Sequence, residues 1–220
     1  MKLLQLSQLC GMNIHYRYYM IDDFFSSMQK LGFKSVEIWT CPQHFYIDSI
    51  GYQDAVNFRH KAESYGLHIV CLTPEQNNPK PHNIAAKDPY LQHKTFQYFC
   101  NAIQIANELE CGKILITSGW NFYSESCKEA WKRSVDMLSR ISSFAEKMNV
   151  ILAMEALQPS ESRLVTDIPS IRKMLNDVNS SNLKITVDLG AMVCANETVQ
   201  DYFNAFGKDV VHSHFVDGNG

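Results

Sequence analysis

Short apolar runs alternate along the chain with longer stretches in which apolar residues recur every three or four positions. The short runs are Leu3–Cys10, Ser35–Trp39, His68–Leu72, Lys113–Thr117, Val150–Glu155, Lys184–Asp188 and Val210–Val216. Their length and β-branched content predict buried strands. The longer stretches predict helices. Asp22 precedes Phe24, Phe25, Met28 and Leu31, with Gly32 as the stop, and a helix over Asp54–Tyr65 ends at Gly66. Over Tyr90–Glu110, residues Phe96, Phe99, Ile103 and Ala106 mark one face; over Ser124–Met148, Leu138, Ile141, Ala145 and Met148 do the same. Thr166 or Asp167 caps the next helix, with Pro169 in its first turn, and a last one runs over Thr198–Phe206 before Gly207. Thr73–Pro81, with its prolines and asparagines, can only be a loop.

Strict alternation of strand and helix implies a parallel sheet with right-handed crossovers. No G-x-G-x-x-G follows the first strand, and neither a Walker sequence nor a G-x-S-x-G elbow occurs. The fold class expected is therefore α/β, a (β/α)8 TIM barrel with its site at the carboxyl ends of the strands. Such barrels typically take about 250 residues. This chain has 220 and stops just past the seventh strand. The expectation is one domain over residues 1–220, an incomplete barrel lacking strand eight, whose unpaired edge between strands one and seven invites a homo-oligomer.

Composition narrows the partners. A net charge of −3 and a pI near 6.2 give no basic footprint, so nucleic acid is not expected. No apolar segment reaches the roughly 18 residues a membrane span needs. Seven cysteines without a Cys-x-x-Cys pair favour reduced thiols and a cytoplasmic protein, with Cys10 and Cys71 as core residues.

The polar residues at strand ends carry the chemistry. Glu155 closes strand five, Asp188 closes strand six, and His212 and His214 lie on strand seven. In a barrel these ends are neighbours. Two carboxylates and an imidazole suit a divalent cation, which would also relieve the cost of burying Glu155. His212 and His214 are two apart and share a face, one as a ligand and the other as a deeper, hydrogen-bonded histidine. Glu37 is expected to be buried and structural, His44 and His82 to be surface residues, and Asp217 to be a supporting partner or a turn residue.

Gly32-Phe33-Lys34-Ser35-Val36-Glu37-Ile38-Trp39, Met154-Glu155 with Glu161 six residues on, Val187-Asp188, and His212-Ser213-His214-Phe215-Val216-Asp217 occur in that order. Together with Leu72-Thr73-Pro74-Glu75, they resemble the xylose-isomerase-like barrel superfamily. Within it the chain is similar to the sugar phosphate isomerase/epimerase group, especially fructoselysine 3-epimerases and ketose 3-epimerases. The resemblance implies an isomerase that epimerises a ketose or sugar-amine such as fructoselysine or psicoselysine beside its ketone, through an enediolate. It implies one divalent metal ion, Mn2+ first, with Mg2+, Co2+ or Ni2+ as alternatives, held by Glu155, Asp188 and His214. Glu155 would also be a catalytic acid–base, and Glu161 would hold the substrate's hydroxyl end. The fourth ligand and second acid–base of that family, a glutamate on strand eight, matches no residue of this chain, so turnover by this chain alone is in question. Ala191 stands where free-ketose epimerases carry a histidine, a departure compatible with the fructoselysine type, and Gly220, the last residue, stands where they carry an arginine. Alternatives are a hydroxypyruvate-type or other sugar isomerase, a binding-only barrel, and an abasic-site endonuclease. Against the last, strands three and four end without histidines, in Leu72-Thr73-Pro74 and Ile116-Thr117-Ser118.

Overall fold

A computed structural model describes residues 5–76 and 80–215. Its seven strands, among the described residues, are β1 (Cys10–Met12), β2 (Ser35–Trp39), β3 (His68–Thr73), β4 (Lys113–Ile116), β5 (Ile151–Glu155), β6 (Leu183–Asp188) and β7 (Val210–His214). All pair in parallel, in sequence order. Glu37 of β2 and Lys113 of β4 both reach His212 of β7, so the sheet curls on itself as a barrel does. No pairing joins β1 to β7 among the described residues.

The helices lie between the strands: α1 (Ile21–Lys30), α2 (Ala55–Ser64), α3 (Pro89–Glu108), α4 (Cys127–Lys147), α5 (Ile168–Val178), α6 (Leu189–Cys194) and α7 (Val199–Phe206). Asp54, Asp167 and Thr198 cap α2, α5 and α7, each accepting from the backbone N–H three residues on. Val36, Ile38, Ile114, Ile116, Leu152, Met154, Ile185 and Val187 form one core with the inner faces of the helices. The alternate residues of the same strands point into the curl, which leaves that interior to polar groups. No helix among the described residues is long and apolar enough to cross a membrane.

Several expectations need correction. Within Leu3–Cys10, residues Leu6–Gln8 form a 3-10 turn closed by Gln8 N–H to Gln5 O (2.9 Å), and pairing begins only at Cys10. Apolar content without a partner strand does not make a strand. Beyond Met12, the buried Asn13 side chain takes over the ladder, accepting from Trp39 N (2.7 Å) and donating to Trp39 O (3.0 Å). A Cβ at Gly11 would lie 2.1 Å from Met28 Sδ of α1, so any larger residue there would have to displace that side chain. Asp22 lies within the first turn of α1 and pairs with Lys61 of α2 and with Tyr65 just past its end. Helix α6, directly after β6, was not expected, since six residues are too few to show a period. Val216, Asp217 and Gly220 lie outside the described residues.

The two loop histidines are not surface residues. His44 is buried, with Asn13 Nδ2 donating to one ring nitrogen and the other bonded to Tyr19 O, both at 2.9 Å. His82 stacks on Tyr98, ring centroids 3.7 Å apart and planes 6° from parallel. Burial pulls its imidazole down to about 4, against the attraction of Asp48. The unfolded chain therefore takes up a proton more readily than the folded one between about pH 6.5 and 4. The stability from a neutral His82 is complete above that window and is lost as pH falls through it. His82→Phe keeps the stacking and should flatten that limb; urea midpoints that fall equally steeply in both proteins would refute the assignment.

Candidate active site

Glu155, Asp188 and His214 end β5, β6 and β7, and each brings one ligand atom within 4.8 Å of the others. Register makes this possible. β7 slips by one residue against β6: Ile185 pairs with Val210, but Thr186 pairs with His212 and Asp188 with His214, passing over Val211. Without that bulge, Asp188 would face Ser213 and both histidines would turn outward to the helices. A second bulge does the same for β3. Val36 pairs with Ile69, yet Glu37 pairs with Cys71 and Trp39 with Thr73, passing over Val70. Thr73 thereby joins Glu37 on the inner face.

A continuous polar network follows. His214 Nδ1 lies 2.5 Å from Glu155 Oε1, and its Nε2 lies 3.1 Å from Glu37 Oε1. His212 Nε2 lies 2.8 Å from Glu37 Oε2, and Thr73 Oγ1 donates to Glu37 Oε1. Behind them Lys113 Nζ donates to Val211 O (2.9 Å) and lies 3.5 Å from His212 Nδ1. An ammonium can only donate, so His212 Nδ1 accepts and Nε2 is the nitrogen that donates to Glu37. His212 is thus the deeper, hydrogen-bonded histidine and His214 the one at the rim.

Electrostatics sort the carboxylates. Burial alone would raise Glu37, but donors from His212 and His214 overcome it and hold the carboxyl far below its ordinary range. Glu155 goes the other way. Burial pushes its carboxyl up, the bond from His214 opposes this, and the charges of Asp188 and Glu37 add to the rise. Burial would lower His214, but the bonds to Glu155 and Glu37 push it to about 11. Asp188 spends one oxygen on Ala191 N (2.7 Å), capping α6. Three carboxylates with Lys113 set back from the rim make a site short of positive charge, and its oxygen and imidazole donors fit a divalent ion. Glu37, His212 and His214 form a second trio within the same distance.

Glu161 is not in either trio. It is exposed on the turn after β5, where it accepts from Gln158 N at 3.1 Å. Cys71 is buried, and burial raises its thiol well above the ordinary value, as befits a core residue; Cys10, half-buried, is pushed to about 11 mainly by burial. Lys113 was missed by reading the sequence. The available signal was its position, two residues before Leu115 on an otherwise apolar strand and hence on the inner face.

Comparison with known proteins agrees with this architecture. The family model described as "Xylose isomerase-like TIM barrel" matches residues 25–220. A fructoselysine 3-epimerase of Shigella flexneri is 28% identical over 200 residues, 91% of this chain and 72% of that protein. A D-psicose 3-epimerase of Ruminiclostridium cellulolyticum is 24% identical over 204 residues, 90% of this chain and 66% of that one. Among solved structures, a D-psicose 3-epimerase crystallised in the presence of D-fructose superposes with a TM-score of 0.76 at 17% identity, covering 92% of this chain and 70% of that one.

Lys113 is the cation that backs the inner network. Lys113→Met should cost about 1–3 kcal/mol, since the Val211 carbonyl and His212 lose a charged donor in a buried setting. Guanidinium denaturation reads this directly, and an unchanged midpoint would show that the network does not need it.

Proposed function

The chain belongs to the xylose isomerase-like TIM barrel family, and from that premise we propose that it is a metal-dependent sugar epimerase acting by proton transfer beside a ketone. The observation that carries the proposal is the convergence of Glu155, Asp188 and His214 on one point at the ends of three consecutive strands. Similarity to proteins named fructoselysine 3-epimerase and D-psicose 3-epimerase supports 3-epimerisation of fructoselysine, psicoselysine or a related ketose.

Glu155, Asp188 and His214 would hold one divalent ion, with Mn2+ the first expectation and Mg2+, Co2+ or Ni2+ sharing the same ligand chemistry. Bound there, the ion would supply positive charge beside the ketone and its neighbouring hydroxyl, which lowers the barrier to an enediolate. The acid–base step belongs to Glu155. Its carboxylate removes the proton from the carbon next to the ketone, the electron pair moves toward the carbonyl oxygen, and a proton then returns to that carbon. Return to the opposite face inverts the centre and needs a second acid–base group on that side; return to the same face regenerates the starting sugar. A carboxyl raised by burial suits this exchange, because an acid–base works best when its pKa approaches the working pH. Glu161 is proposed to hold the hydroxyl end of the substrate. Ala191, on the short helix that Asp188 caps, stands where the free-ketose epimerases would place a histidine, which favours an amine-linked substrate.

Two measurements test this reading. Purified protein loaded with Mn2+ should retain about one ion per chain, while Glu155→Gln and Asp188→Asn should lose it. Unchanged retention in both variants would sink the ligand assignment. In D2O the loaded protein should exchange deuterium into fructoselysine or psicoselysine at the carbon beside the ketone, and Glu155→Gln should not. Exchange needs a base on one face only, so it tests Glu155 independently of inversion; its absence in the loaded wild type would overturn the acid–base assignment.

A further inference from the structure

Glu37 lies on β2, away from the three strands that carry the ligand trio, yet it touches His214 directly. It is 2% exposed and receives three donors, from Thr73, His212 and His214. We propose that Glu37 is a positioning residue that fixes which nitrogen of His214 faces the cation. This rests on the reading that Glu155, Asp188 and His214 hold a divalent ion.

An imidazole can bind a cation through either nitrogen, and the hydrogen bond made by the other nitrogen decides between them. Glu37 Oε1 lies 3.1 Å from Nε2 of His214, while Nδ1 lies 2.5 Å from Glu155 Oε1. A carboxylate can only accept, so without an ion both ring nitrogens donate; an ion bound by Glu155 takes the place of the proton on Nδ1, while Glu37 keeps the proton on Nε2. The negative charge behind the ring also makes Nδ1 a stronger donor to a metal. Glu37 cannot swing away to release this choice. Its other oxygen is held by His212 at 2.8 Å, and His212 is in turn held by Lys113 from behind.

The competing account is that Glu37, His212 and His214 are themselves a second cation site, since their ligand atoms also lie within 4.8 Å. Lys113 decides against it. Its ammonium lies 3.5 Å from His212 Nδ1 and is anchored on Val211 O, so a cation bound to this trio would meet a fixed positive charge a few ångströms away. Thr73 already occupies Glu37 Oε1 as well. The inner trio supports the outer one.

Glu37→Gln keeps size and shape but must turn an N–H toward a donor, either at His212 or at His214 and Thr73. Titration with Co2+, followed by its visible d–d absorption, should show about 10- to 100-fold weaker binding in Glu37→Gln than in wild type. Near-UV circular dichroism shows whether the variant is folded. A folded Glu37→Gln that binds Co2+ within threefold of wild type overturns the proposal. A second measurement needs no variant: long-range 1H–15N spectra of the wild type loaded with Zn2+ should place the His214 proton on Nε2. A proton on Nδ1, with Nε2 on the metal, overturns the proposal even though the metal site stands. Failure of the wild type to bind either ion would instead refute the metal site itself, and this inference with it.

Discussion

One imidazole, His214, bridges two buried carboxylates, Glu155 at the rim and Glu37 on the opposite side of the curled sheet. Removing two carboxylates from water costs several kcal/mol each unless donors replace the lost hydration. The interior of the sheet is arranged to supply those donors. Thr73, His212 and His214 satisfy Glu37, and Lys113 holds His212 from below. Glu155 is treated differently, with His214 as its bonded partner and Asp188 close by. One carboxylate is held firmly ionised, and the other is pushed upward by burial and by its neighbouring carboxylates. Two glutamates with the same intrinsic chemistry thereby acquire different work.

This division is possible because the strands separate stability from chemistry. Their outward residues, from Val36 to Val187, pack against the helices and supply most of the apolar burial. Their inward residues contribute little to that core and are free to be polar. A pleated strand enforces the separation, since neighbouring side chains must point to opposite sides. The bulges at Val70 and Val211 then adjust the phase where the ideal pleat would have aimed the wrong residues inward. Asp188 illustrates the economy of the rim: one oxygen starts α6 while the carboxylate still reaches Glu155 and His214 in the proposed ligand trio.

The barrel architecture was legible because it depends on periods and punctuation. Gly32, Gly66, Gly112 and Gly207 take positive φ where the periods stop, and Asp54, Asp167 and Thr198 cap where the periods start. The rim residues Glu155, Asp188 and His214 were legible for a related reason: a charged group ending an apolar strand is conspicuous, and parallel strands bring their ends together. The misreadings share the opposite property. Leu3–Cys10 has strand-like content, but among the described residues only Cys10 of it finds a partner, and His44 looks like a loop residue until Asn13 and Tyr19 enclose it.

The sequence by itself determined the kinds of group available at each strand end, the order of elements, and hence the neighbours along the rim. These are local properties, set by side-chain chemistry and by a repeat of two or 3.6 residues. The tertiary structure alone decided which histidine stands at the rim and which behind it, that Glu37 reaches across to both, and that Lys113 backs them. Those relations join residues 59 to 177 positions apart and turn on single-residue slips in register. A slip of one residue changes no composition and no period, yet it reverses the face on which every later side chain lies.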